Sequence, residues 1–173
     1  ANVNEGPEIV QKNGRTFMTF SASSCSTPDY KLGLLELTGT DPLSPSAWTK
    51  SSTAVFASAN SVYGPGHNGF FSSPDGTETW QVYHGNSSSS QGCGDTRSAR
   101  VQKVNWNTSG TPNFGSPVAA GTAVTVPSGE TGPITTVPKG ANFQLVNRSS
   151  GLCLGVSSNS TSNSAATVLR ACS

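Results

Sequence analysis

Charge is scarce in this sequence. Only 11% of its 173 residues are Asp, Glu, Lys or Arg, and 10 basic residues against 9 acidic ones leave a net charge of +1. A surface built to hold nucleic acid needs a basic stripe, so binding of a phosphate backbone is excluded as the main function. Long apolar runs are missing too. None approaches the roughly 20 residues that cross a bilayer, so no membrane partner is expected. Methionine occurs once, strong helix formers are few, and no stretch carries the apolar period of an amphipathic helix. There is no Cys-x-x-Cys pair of the kind used for zinc or dithiol chemistry. There is also no nucleophile elbow, phosphate loop or metalloprotease His pair. Ala1 opens without a basic start or an apolar stretch, so any export signal is expected outside these residues.

What is abundant points one way. The chain has 19 Gly and 11 Pro and is rich in Ser, Thr and Asn, a composition that predicts an all-β protein of one domain, or one plus a fragment. The Cys count is even: Cys25, Cys93, Cys153 and Cys172. Two disulfides in a secreted, extracellular protein are the preferred reading over free buried thiols. Asn86, Asn107, Asn147 and Asn159 each begin an Asn-x-Ser/Thr sequon. In a Ser-rich chain such matches arise by chance and carry little weight.

Short alternating runs separated by turn signals predict strands. Glu8 to Gln11 is followed by the hairpin signal Asn13-Gly14, then Arg15 to Phe20, Tyr30 to Leu37, and a fourth piece with Trp48 and Val55-Phe56. The pattern then recurs as His67 to Ser72, the turn Pro74-Asp75-Gly76, Glu78 to His84, Arg97 to Trp106, and Phe114 to Val118. Gly6 falls on Gly66, Phe17 on Trp80 and Trp48 on Phe114, a period of about 60 residues. The three Trp are expected in the core. Each half reads as a four-stranded antiparallel sheet, and the repeat favours two blades of a β-propeller over a β-sandwich. Two blades do not close a ring, and the chain begins directly against the first strand. The expectation is therefore the C-terminal part of a larger propeller over residues 1–120, a Thr/Pro/Gly-rich linker over 121–140, and a separate small unit over 141–173.

Repeat geometry brings a few uncommon residues to one end of one channel. Glu5 lies at the start of the first blade, with His67 in the matching place of the second. Cys25 sits in the loop between strands two and three of the first blade, and Cys93 and Arg97 sit in the equivalent loop of the second. A carboxyl in Glu5-Gly6-Pro7, partly desolvated at a channel mouth, would have a raised pKa and could donate a proton near neutrality. The alternative is a solvated loop Glu. His67, between flexible glycines, is read either as a ligand for a cation or a substrate hydroxyl, or as a hydrogen-bonded structural His. Arg97 offers a planar fork to sugar hydroxyls, or else pairs with Asp95, as Arg100 also could. Cys25 and Cys93 could bridge the two loops. His84, at a strand end, attracts no special role.

Several motifs taken in order resemble glycoside hydrolase family 43 over residues 1–130. They are Asn4-Glu5-Gly6-Pro7-Glu8-Ile9, Ser21-Ala22-Ser23-Ser24-Cys25, Thr27-Pro28-Asp29-Tyr30-Lys31-Leu32-Gly33, Gly64-Pro65-Gly66-His67-Asn68-Gly69-Phe70-Phe71 and Ser73-Pro74-Asp75-Gly76. The resemblance implies a five-bladed propeller that hydrolyses arabinose- or xylose-containing plant cell-wall polysaccharide with inversion. It implies Glu5 as general acid, Arg97 in contact with the sugar, and His67 on the channel axis, where a calcium ion would be held largely through water. Inversion needs two carboxyls about 6.5–9.5 Å apart. The family's general base and its pKa-tuning Asp come from earlier blades, and Asp29, Asp41, Asp75 and Asp95 stand on the wrong strands to replace them. This chain is therefore expected to hold the acid half of an α-L-arabinofuranosidase site and to be inactive alone. Alternatives are a β-xylosidase or endo-arabinanase of the same family, a non-catalytic carbohydrate-binding propeller, and a fragment with no independent role. The segment from Asn142 to Val156 resembles the first repeat of a ricin-type β-trefoil, which implies a Cys153–Cys172 disulfide. There Gly155 replaces the Asp often used to hold sugar, and Val168-Leu169-Arg170 replaces Gln-x-Trp.

Overall fold

The computed structural model describes residues 3–130, 150–156, 158, 161–162 and 165–172. The chain divides into two compact units, Ala1–Pro133 and Ile134–Ser173. The first holds two four-stranded antiparallel sheets. One is built from β1 (Asn4–Lys12), β2 (Arg15–Ala22), β3 (Lys31–Leu37) and β4 (Trp48–Lys50) in that spatial order. The other follows the same order with β5 (Tyr63–Ser72), β6 (Thr79–Asn86), β7 (Ser98–Trp106) and β8 (Pro112–Asn113). In the second unit β9 (Cys153–Val156) pairs with β10 (Thr167–Arg170). A 3-10 turn at Pro45–Ala47 leads into β4.

Alternation decides which face of each strand is buried. In β2, Phe17, Thr19 and Ser21 are buried; in β6, Gln81 and Tyr83 are. These faces meet, with β5 lying against β1, β2 and β3. Val10, Phe17, Leu32, Leu34, Phe56, Val62, Tyr83, Val104 and Phe114 form the shared core. The Phe56 and Tyr83 rings meet edge to face at 4.8 Å, a favoured aromatic geometry. The Asn13-Gly14 turn is a two-residue hairpin closing Lys12 against Arg15, with φ of +51° and +75°, as a type I′ turn requires.

Four expectations are corrected. The last strand of the second sheet is Pro112–Asn113, not Phe114 to Val118. The later segment is held by a side chain instead: the Gln102 amide donates to the Phe114 and Ser116 carbonyls at 2.8 and 3.2 Å and accepts from Val118 N–H at 3.2 Å. The fourth strand of the first sheet is confined to Trp48–Lys50, with Phe56 making an isolated bridge to Leu32. Trp48 is not core. It lines an apolar hollow with Met18, Leu35, Pro42, Leu43 and Pro45 on the outside of the first sheet. Residues 121–130 have no regular structure but are tied to the second sheet, where Ser128 N–H and Oγ bond Glu78 and Asp75 at 3.0 and 2.5 Å; residues 131–140 of the expected linker lie outside the described residues.

The repeat alignment also shifts by one residue. In β1 the register slips between Glu5 and Glu8, and in β5 it slips at the matching step between Gly66 and Gly69. The extra residue of each bulge is left-handed: Gly6 at φ +55° and His67 at φ +49°. Gly6 thus matches His67, and the counterpart of Glu5 is Gly66. Bulges of this kind bend a strand and re-aim its side chains.

Cys25 and Cys93 are bonded across a sequence separation of 68 residues, linking the β2–β3 loop to the β6–β7 loop. Loop-closure entropy for a ring of that length corresponds to about 4 kcal/mol. The double substitution Cys25→Ala/Cys93→Ala should lower unfolding stability by about that much in urea titrations monitored by Trp fluorescence.

Candidate active site

The bulge in β1 is where a carboxyl emerges. Glu5 ends the regular pairing with Ser21, and Gly6 then turns left-handed. The His67 ring lies across Gly6: a Cβ built there would sit 3.2 Å from three of its ring atoms. The matching bulge in β5 projects His67, whose backbone N–H is held by buried Ser21 Oγ at 2.7 Å. A non-glycine residue in this conformation carries strain of about 1–3 kcal/mol, characteristic of functional sites. The two bulges set His67 Nδ1 4.0 Å from Glu5 Oε1, with both side chains half exposed.

Tyr30, at the end of the disulfide-tied β2–β3 loop, completes the group. It is 1% exposed, and its hydroxyl donates to Glu5 Oε1 at 2.6 Å. A phenol has one proton to give, so in the 3.4 Å contact with His67 Nδ1 the imidazole is the donor. Burial foremost, then the bond to Glu5, pushes the Tyr30 pKa up to about 12, so the phenol stays protonated at working pH. Gly66 makes room for this ring, since a Cβ there would come within 2.4 Å of Tyr30 Cε1.

Behind Tyr30 lies His84, which the sequence reading passed over. Its ring stacks on Tyr30 with centroids 5.5 Å apart and planes 15° apart, and its centroid is 6.3 Å from that of His67. Arg97 Nη1 is 3.3 Å from His84 Nε2, and Arg97 Nε donates to the Gly94 carbonyl at 3.2 Å. A guanidinium only donates, so Nε2 accepts and the neutral ring carries its proton on Nδ1. Burial first, then the Arg97 and His67 charges, lower the His84 pKa to about 4. His67, His84, Gly94, Asp95 and Arg97 line an open hollow of about 450 Å³. Among the described residues Asp95 forms no ion pair with either arginine.

The structure therefore brings Glu5, His67 and Arg97 to one end of the two sheets, under the loops joined by Cys25–Cys93. It adds Tyr30 and His84. Tyr30 was legible as a strand start inside a quoted motif, but its role needed the glycine gap opposite. Nothing in the sequence marks His84, whose place directly across from Gly66 is set by the strand register.

One imidazole is a poor donor set for calcium, which prefers six to eight oxygens. Among the described residues no three His, Cys, Asp or Glu side chains cluster as a metal site. This chain's residues alone do not fit the ion, and no step below runs through it.

Because the folded state disfavours protonated His84, the unfolded chain binds more protons between pH 6.5 and about 4. The contribution of His84 to stability is full above 6.5 and is lost as pH falls through that window. Histidine NMR titration should give a midpoint near 4, and His84→Phe should flatten the fall in Tm between pH 6.5 and 4.5.

Comparison with known proteins places this geometry. The family model described as glycosyl hydrolases family 43 matches residues 1–112. An extracellular exo-alpha-(1->5)-L-arabinofuranosidase of Streptomyces avermitilis is 46% identical over 126 residues, covering 69% of this chain and 26% of that protein. Alpha-L-arabinofuranosidase 43 of Humicola insolens is 40% identical over 131 residues, with the same coverage of 69% and 26%. The solved alpha-L-arabinofuranosidase from Lactobacillus brevis superposes with a TM-score of 0.62 at 40% identity, over 68% of this chain and 38% of that one. The chain thus spans about a quarter of the length of the curated relatives it matches (26%). Its two four-stranded sheets are blades of a β-propeller, and the chain belongs to glycosyl hydrolase family 43.

Proposed function

We propose that this chain supplies the acid half of an inverting glycosidase site that cleaves arabinose from plant cell-wall polysaccharide. The observation that carries the reading is the Glu5 carboxyl, half exposed beside the hollow, gripped on Oε1 by a buried phenol and 4.0 Å from His67. In this role Glu5 gives a proton to the departing glycosidic oxygen, the general-acid step of glycoside hydrolysis. Arg97, anchored by Gly94 and His84, keeps further N–H donors for sugar hydroxyls, and His67 Nε2 accepts from another. The general base and the Asp that tunes Glu5 come from other blades. In support, apolar side chains on the outer face of the second sheet, Phe71, Val82 and Val101, stay 39–47% exposed, as faces that further blades would cover. Arabinose is favoured over xylose because the relatives of 40% identity and above are named as arabinofuranosidases.

Two disulfides and a relative named as extracellular support secretion. No helix among the described residues is long and apolar enough to cross a membrane. For residues 141–173 we keep the ricin-type reading as part of the proposal. The β9–β10 pair and the Cys153–Cys172 bond across a separation of 19 residues support it. The Arg170 side chain lies against Gly155, so close that a Cβ there would meet Arg170 Nε at 2.6 Å. This unit is not expected to hold sugar by itself. Residues 142–149 of the motif lie outside the described residues.

The test is a chimera in which the whole 173-residue chain replaces the matching region of the Streptomyces avermitilis enzyme. It should release arabinose from 1,5-linked arabino-oligosaccharide. Glu5→Gln should slow that reaction by about 10²–10⁴-fold and spare a dinitrophenyl arabinofuranoside, whose leaving group needs no proton. An unchanged rate on the oligosaccharide would refute Glu5 as the acid.

A further inference from the structure

Tyr30 and His84 donate or accept no proton in the reaction proposed for Glu5, yet they connect Glu5, His67 and Arg97. Each contact limits the next. Arg97 donates to His84 Nε2, which fixes the tautomer and plane of that ring. His84 covers one face of Tyr30, and the bare backbone of Gly66 crowds its edge. The phenol is 1% exposed, so its hydroxyl has little room to rotate away from Glu5. Among the described residues it is the only hydrogen-bond donor to that carboxyl, and it bonds Oε1. An oxygen that accepts a phenol proton at 2.6 Å is not the one that carries its own.

We infer that Tyr30 is a positioning residue for the acid: it locks the Glu5 rotamer and reserves Oε1 as acceptor, so that the proton to be delivered sits on Oε2, with His84 as the wedge that holds Tyr30 and Arg97 in register. The inference rests on the general-acid reading of Glu5. In the step itself Oε2–H breaks and the proton passes to the glycosidic oxygen, which takes the electron pair of its bond to the anomeric carbon; a water that gives its proton to the base of another blade forms the new bond to that carbon, and Glu5 is left as carboxylate. Tyr30 keeps its own proton throughout and strengthens its bond as charge develops on the carboxyl. Such a bond matters in proportion to how much proton transfer the leaving group demands.

Two measurements decide it. In the full 173-residue chain, Glu5 side-chain scalar couplings should report a single rotamer. In Tyr30→Phe they should average over several, with backbone amide shifts elsewhere unchanged; the phenyl ring keeps the stack on His84, so the fold is retained. A single Glu5 rotamer in Tyr30→Phe overturns the proposal. In the chimera, Tyr30→Phe should lower kcat on arabino-oligosaccharide by about 10–100-fold, leave KM within about two-fold, and change dinitrophenyl arabinofuranoside turnover by less than about two-fold. Equal losses on both substrates would mean a merely structural role and overturn it. The outcomes separate from those of the acid assignment: if Glu5→Gln leaves the chimera's oligosaccharide rate intact, the acid reading fails whatever the rotamer data show. If Glu5→Gln is slow and Tyr30→Phe is not, only the positioning role fails.

Discussion

The site depends on one extra residue inserted at the same step of two neighbouring strands. Gly6 and His67 both adopt left-handed backbone, at φ +55° and +49°, and each marks a register slip in the first strand of its blade. Without the slip, strict alternation would send Glu5 and its neighbours along the ordinary faces of a pleated sheet. With it, the carboxyl of one blade and the imidazole of the next come together, and the glycine at the first bulge leaves just enough depth for the histidine ring of the second. The position tolerates a side chain in one blade and not in the other because the same space is counted twice.

Polar groups elsewhere in the first unit take over work that backbone ladders normally do. Gln102 binds Tyr83, Phe114, Ser116 and Val118 at once, in place of a full outer strand. Asp75 collects the hydroxyls of Ser73, Thr77 and Ser128, and these bonds hold its carboxyl far below the usual carboxylate range. Glu78, held by Lys103, Ser128 and Trp80, is lowered to about 2. All these contacts lie on the second blade and fix the segment that leaves it. The site side, by contrast, keeps its key carboxyl half exposed.

Much of this was legible before any coordinates. Alternation and turn chemistry located seven of the eight strands of the two sheets, and the Asn13-Gly14 hairpin needed only its two residue types. The repeat brought Glu5, His67 and Arg97 to one end. What escaped was what registers and side chains decide. A repeat counted from glycine to glycine put Gly6 on Gly66, whereas the bulge places it on His67. Phe114 to Val118 reads as a strand from its residue types, but Gly115 is left-handed at φ +65° and the partner of the segment is an amide side chain. Trp48 carries a core composition and lies on an outer face. His84 looked ordinary because a neutral stacked imidazole has no sequence signature.

The Cys25–Cys93 link has a consequence for how the molecule is made. Its partners lie 68 residues apart, on loops that approach only when both blades have formed and docked, whereas Cys153 and Cys172, separated by 19 residues, can meet within a single hairpin. Four thiols admit three pairings, and distance along the chain favours local ones. The long-range bond therefore joins loops of two different sheets, and its formation reports that those sheets have met.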